Sequence, residues 1–129
     1  MAGTLAGTDA WFSKPESQTS SNYGVGFNGE IHQYVDDNNM AWANGGVKSP
    51  TAQIVIDNPN VNQNKISLSI ENEGTDLAKA PEAQLVALVE LIKSISAKYN
   101  IPLDRNHIIG HRELNALGRP NCPSSDNAI

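Results

Sequence analysis

The chain has 129 residues, 39% hydrophobic and 18% charged, which supplies one self-supporting core and is too short for two domains of ordinary size. No apolar run approaches the roughly 20 residues a bilayer span needs, so a soluble, globular protein with no membrane partner is expected. Nine Lys and Arg against fourteen Asp and Glu give a formal charge of -5 with the basic residues scattered, which excludes the basic face that nucleic-acid binding requires.

The first residues, Met1-Ala2-Gly3-Thr4-Leu5-Ala6-Gly7, carry neither a basic region nor a long apolar one, so no Sec leader is read there. Residues 8–12 suit the end of a helix that buries Trp11 and Phe12, and the polar stretch that follows reads as turns. Two strand patterns, 22–27 and 30–35, flank Asn28-Gly29, the dipeptide best suited to a two-residue type I′ turn. From Asp36 to Val47 the sequence is loop-like, with Asp36-Asp37-Asn38-Asn39 and Gly45-Gly46 around Ala41-Trp42. Ile54-Val55-Ile56 reads as a short strand, and residues 58–65 as a polar loop. Residues 66–71 alternate, placing Ile66, Leu68 and Ile70 on one face and Ser67, Ser69 and Glu71 on the other.

A long helix over 81–99 follows, with Leu85, Leu88, Val89, Ile92, Ile95 and Tyr99 forming one apolar stripe. Asn100 and Pro102 end it. His107-Ile108-Ile109 reads as a short buried strand entering Gly110-His111, and the remainder as a proline-containing loop. No internal repeat or linker is present, so residues 1–129 form a single domain of α/β class.

The residues with chemical potential lie late in the chain. His111 leaves a strand through a glycine, and Cys122, the single cysteine, sits between prolines. One cysteine excludes an intrachain disulfide; a lone thiol is either inert and buried, a nucleophile, or a ligand. Imidazole and thiolate together suit zinc, against the alternative of a core histidine beside a buried thiol. Glu71 closes a strand on its polar face and is a candidate for moving a proton, against the alternative of a solvated carboxylate. Trp42 either stacks on a ligand or covers the core.

Five blocks occur in order: residues 21–35, Ala41-Trp42, Ser67-Leu68-Ser69-Ile70-Glu71, Ile108-Ile109-Gly110-His111-Arg112-Glu113, and Asn121-Cys122-Pro123. Together they resemble the type 2 amidases, zinc-dependent N-acetylmuramoyl-L-alanine amidases of phage endolysins and autolysins, related to peptidoglycan recognition proteins. The resemblance implies a mixed central β-sheet flanked by helices, with the long helix packed across it. It implies a Zn2+ ion held by two histidines and a cysteine or aspartate, with water as fourth ligand. His111 then corresponds to the second histidine, Cys122 to the third ligand and Glu71 to the catalytic carboxylate. Asn22, Trp42 and Arg119 are the positions for substrate contact.

Three departures accompany it. No residue matches the family's first histidine, which ends an N-terminal strand; the chain reads as lacking that strand. Ala43 stands where many members have a histidine, and Pro120 where many have a lysine, with Arg119 the neighbouring cation. His107 and His32 are the other histidines that could complete a site. The implied function is hydrolysis of the amide between N-acetylmuramic acid and L-alanine at the bacterial cell wall, by a protein cytoplasmic before release or phage-encoded. A non-catalytic peptidoglycan-binding module is the alternative, and an unrelated hydrolase with Cys122 as nucleophile and His111 as base a third. A sheet lacking one strand is also expected to pair with a second copy through its exposed edge.

Overall fold

A computed structural model of the chain describes residues 3–124. Helix α1 (Leu5–Phe12) begins where Thr4 turns extended and its hydroxyl accepts the Gly7 N–H at 3.0 Å. The first helical N–H, from Leu5, is taken by the Glu73 carboxylate at 3.0 Å, from far along the chain. Leu5 is the buried residue of this helix. Phe12 packs edge-on against Tyr34, whereas Trp11, expected inside, is 50% exposed and donates its indole N–H to Thr19. An indole with a hydroxyl partner at the surface has no need of the core.

Strands β1 (Tyr23–Val25) and β2 (Ile31–Gln33) run antiparallel, and β3 (Ile70–Asn72) joins β1 in parallel, giving the order β2-β1-β3. The connection between β1 and β2 is not the two-residue turn expected. Gly26 donates to Glu30 O at 2.8 Å and Gly29 to Gly26 O at 3.0 Å, and of Asn28 and Gly29 only Gly29 has positive φ, +86°. This is a three-residue loop in which glycine alone takes the left-handed position. It sets His32, not a residue one step away, opposite Gly24.

Because side chains alternate across a sheet, the row His32, Gly24, Glu71 shares one face. Helix α1 covers that face: a Cβ on Gly24 would lie 2.9 Å from Leu5 Cδ1 and 2.8 Å from Tyr34 Oη. Behind the sheet runs the long helix, here α3 (Glu82–Tyr99), with Pro81 capping its start and Asn100 ending it in the left-handed conformation. Its deepest residue is Gln84, fully buried, whose amide donates to Val25 O and Glu73 O. Leu88 is buried, but Leu85, Val89 and Tyr99 of the expected stripe are more than a third exposed. Three short strands are too narrow to cover an eighteen-residue helix.

Two further departures have one cause. Ile54-Val55-Ile56 belongs to a short helix, α2 (Gln53–Ile56), and Val55 packs with Ala52 and Leu114 of α4 (His111–Leu114) in a second small core. His107-Ile108-Ile109 forms no strand. Such apolar runs are too short to show a period, so their neighbours in space decide their shape. The alternation from Ile66 likewise becomes a strand only at Ile70. Before it, Ser67 Oγ donates to Gln63 O and Ser69 is bound to Asn22.

Candidate active site

A cavity of about 1110 Å³ lies along β3, floored by Leu88, Ile92 and Ile95 of α3 and bounded by Ile108 and Ile109. In the sheet order β3 has β1 on one side and no strand on the other among the described residues. His111, Cys122, Glu71 and Arg119 all line this cavity. Residues from three separate segments, expected to act together, therefore meet at one surface.

Local structure explains how. Gly110 is extended and precedes α4, so His111 is the first residue of that helix. The Glu113 carboxylate reaches back to the Gly110 N–H at 2.6 Å and also accepts from Arg105 at 2.7 Å, fixing the turn. The next residue, Arg112, donates its backbone N–H to Cys122 O at 2.8 Å, and Cys122 donates to Arg119 O at 3.2 Å. A Cβ on Gly110 would come within 2.9 Å of the Pro123 ring, so the loop carrying Cys122 lies directly against the entry to His111.

Charge and burial set the protonation states. Burial pushes His111 below the usual histidine value, the Arg119 cation adds to this, and Glu71 opposes it. That direction favours the neutral ring, the form that a ligand or base uses. Burial pushes the Cys122 thiol up, with Glu71 adding and Arg119 and Arg112 opposing. That direction disfavours the thiolate, the form that a nucleophile and a zinc ligand both use. Glu71 itself is half-buried on β3 and acts electrostatically on His111, Cys122 and Tyr34.

The positions expected to touch substrate divide. Trp42 is 53% exposed in a loop tied down by its N–H to Ser20 Oγ at 2.9 Å, and its neighbours Ala43 and Asn44 line the cavity. Arg119 is exposed and lines it too. Asn22 is a correction: it is fully buried. Its amide nitrogen faces the carbonyls of Val35, Asp36 and Asn39 and its oxygen accepts from Ser69 N, so it braces loops and presents nothing to a groove.

Of the two other histidines, His32 is engaged elsewhere. Its ring nitrogens bond Asp9 at 2.8 Å and Glu30 at 2.5 Å, and it lines a separate cavity of about 570 Å³. His107 borders the main cavity with its Nδ1 2.7 Å from Asp104. His111 and Cys122 are donors of the kind zinc takes, but among the described residues no group of three or more His, Cys, Asp or Glu is placed to hold an ion. A catalytic zinc normally has three protein ligands, so these residues alone do not complete one.

Sequence reasoning passed over Glu73, whose carboxylate takes the N–H groups of Leu5 and Phe27 and so joins α1 and the hairpin tip to the strand bearing Glu71. Its signal was present: it stands two residues beyond Glu71.

Comparison with known proteins agrees with this architecture. The fold matches the crystal structure of a selenomethionine derivative of AmpD with a TM-score of 0.67 and 27% sequence identity, over 91% of this chain and 66% of that one. The chain thus spans just under two thirds of the length of that protein. No curated protein sequence matches it. The mixed α/β fold expected from the sequence is the fold observed. The sequence matches the Amidase_2 family, described as N-acetylmuramoyl-L-alanine amidase, over residues 1–125. With nearly the whole sequence matched and the motif residues gathered on one cavity, the chain belongs to the N-acetylmuramoyl-L-alanine amidase family.

Proposed function

We propose that this chain hydrolyses the amide between N-acetylmuramic acid and L-alanine in peptidoglycan, as the catalytic domain of an endolysin or autolysin acting at the cell wall. The observation that carries this is the convergence of His111, Cys122 and Glu71 on one cavity in a member of an amidase family. In this reading Trp42 supplies an aromatic face for the substrate at the rim. Glu71 accepts a proton from the attacking water and returns it to the leaving nitrogen as the carbon–nitrogen bond breaks. Arg119 places positive charge beside the carbonyl oxygen, and no covalent enzyme intermediate forms.

Zinc dependence is part of the proposal, supported by the donor types of His111 and Cys122. The third donor then comes from outside the described residues. Among the described residues no strand pairs with β3 on the side away from β1, and an edge of that kind suits a further extended segment or a second copy of the chain.

The test is to incubate the purified chain, free of tag histidines, with purified cell walls and measure new L-alanine amino termini. Zinc per chain is measured after dialysis and association by light scattering. The expected result is self-association, substoichiometric zinc and slow peptide release, with zinc and release both raised in a longer form carrying a histidine on an added strand. Wall binding without release in either form would make this a non-catalytic binding module and overturn the proposal.

A further inference from the structure

Three consecutive carbonyls around the Cys122 thiol are each held by a donor from another segment. Cys122 O accepts from the Arg112 N–H at 2.8 Å, Pro123 O from the Leu77 N–H at 2.9 Å, and Ser124 O from Arg112 Nη1 at 2.8 Å. Ser124 is fully buried, so its carbonyl lies in a region where a lost hydrogen bond is costly. Two of these donors are main-chain groups that any residue supplies. The third is a guanidinium, and it belongs to the residue directly after His111.

We propose that Arg112 is a positioning residue of the site: by gripping the chain on both sides of Pro123, it holds the Cys122 thiol on the cavity wall in a fixed relation to His111. The inference rests on the reading of Cys122 as a site residue. Arg112 is suited to the task because its backbone and side chain act on one short segment, so the position of His111 and that of Cys122 are set by the same residue. A planar guanidinium loses less freedom per bond than an ammonium would. The neighbouring Arg105 uses its guanidinium differently, bonding Ile108 O and Glu113, and so steadies α4 without touching the three carbonyls.

The experiment exploits the single cysteine of the chain: the rate of alkylation of Cys122 by iodoacetamide, in folded protein without added metal. Arg112→Met keeps the apolar stem and removes the donor. It is expected to react about tenfold faster, the local opening that loss of a charged hydrogen bond allows. Removing a neighbouring cation does not by itself make a thiol more reactive, so a faster rate reports released geometry. Arg112→Lys and Arg105→Ala are expected to stay within about threefold of the parent chain.

An Arg112→Met rate no higher than the parent's overturns the proposal, as does an Arg105→Ala rate equal to that of Arg112→Met, which would mean that any loosening of α4 suffices. Should Arg112→Met not fold, folded Arg112→Gln, whose shorter side chain withdraws the donor from Ser124 O, decides: a rate above the parent's supports the proposal and one no higher overturns it. None of these measurements uses turnover, so their failure is separate from failure of the amidase reading.

Discussion

One row of residues crosses the sheet, from His32 on β2 through Gly24 on β1 to Glu71 on β3, and its two ends are built in opposite ways. At the β2 end a histidine is clamped between two carboxylates. Hydrogen bonds to the Glu30 and Asp9 carboxylates raise its affinity for a proton, and Tyr34 donates a further bond to Asp9 at 2.6 Å. At the β3 end His111, half-buried, lines the cavity with Glu71 and is pushed the other way. The first histidine is a strut between α1 and the hairpin; the second keeps its lone pair available. Residue type alone does not separate the two uses, and the difference lies in what each ring faces.

The sharpest break of this contrast is at the β3 end. Glu71→Gln preserves shape and removes the base, so turnover in a longer, metal-retaining form should fall about a hundredfold or more while zinc content stays unchanged. Peptide release from cell walls and zinc analysis check it. Unaltered turnover would take Glu71 out of the mechanism, and lost zinc would make it a ligand or the support of one.

Between the two ends stands Asn22, joining the start of β1 to Ser69 and to the loop after β2. Asn22→Ala removes a fully buried amide that bonds three part-buried carbonyls and the Ser69 N–H, and should cost about 2–3 kcal/mol in denaturant unfolding. A loss below about half a kcal/mol, within the range of ordinary surface changes, would show that Asn22 is not the brace described.

The smallest effect belongs to the β2 end and depends on pH. His32 is raised, so its contribution is fully present below the ordinary histidine value and is lost as pH climbs through the raised one. Asp9 is lowered by Tyr34 and His32, so its contribution is present above the ordinary aspartate value and is lost as pH falls through the lowered one. The clamp is therefore tightest between the two. These groups are partly solvated, so the gain is about 1 kcal/mol or less. Thermal unfolding of the parent and His32→Ala should differ more near about pH 5 than near about pH 9. An equal difference at both would remove the clamp from the stability of the fold.

How far the sequence could be read follows the same division. The helix α3 was legible over nearly its whole length because eighteen residues give a period time to show. The hairpin was legible in place but not in turn type, since Asn28-Gly29 is compatible with a two-residue loop and with a three-residue loop in which only Gly29 is left-handed. The runs at 54–56 and 107–109 carry no period, and their forms follow the small core at Leu114, against which Val55, Ile54 and Ile109 pack. Of the candidate site residues, His111, Cys122 and Glu71 lie in motif blocks and line one cavity. Asn22 lies in such a block too, but a block marks a position without saying whether the side chain faces a groove or the interior. The clamp on His32 needed tertiary structure, because Asp9 and His32 lie 23 residues apart.

The missing side chain at Gly24 has a consequence beyond packing. The middle of the row is filled from outside it, by Tyr34 and Leu5, and Tyr34 is the group there that senses the charge of Glu71. The neighbourhood of the candidate base is thus shaped partly by Leu5 of α1 and by Tyr34, just after β2, neither of which lines the cavity. Changes at positions 5 and 34 therefore alter the space over Gly24, next to Glu71 in the row, while every residue lining the cavity stays as it is, so a drifting sequence can reshape the approach to the site from outside it.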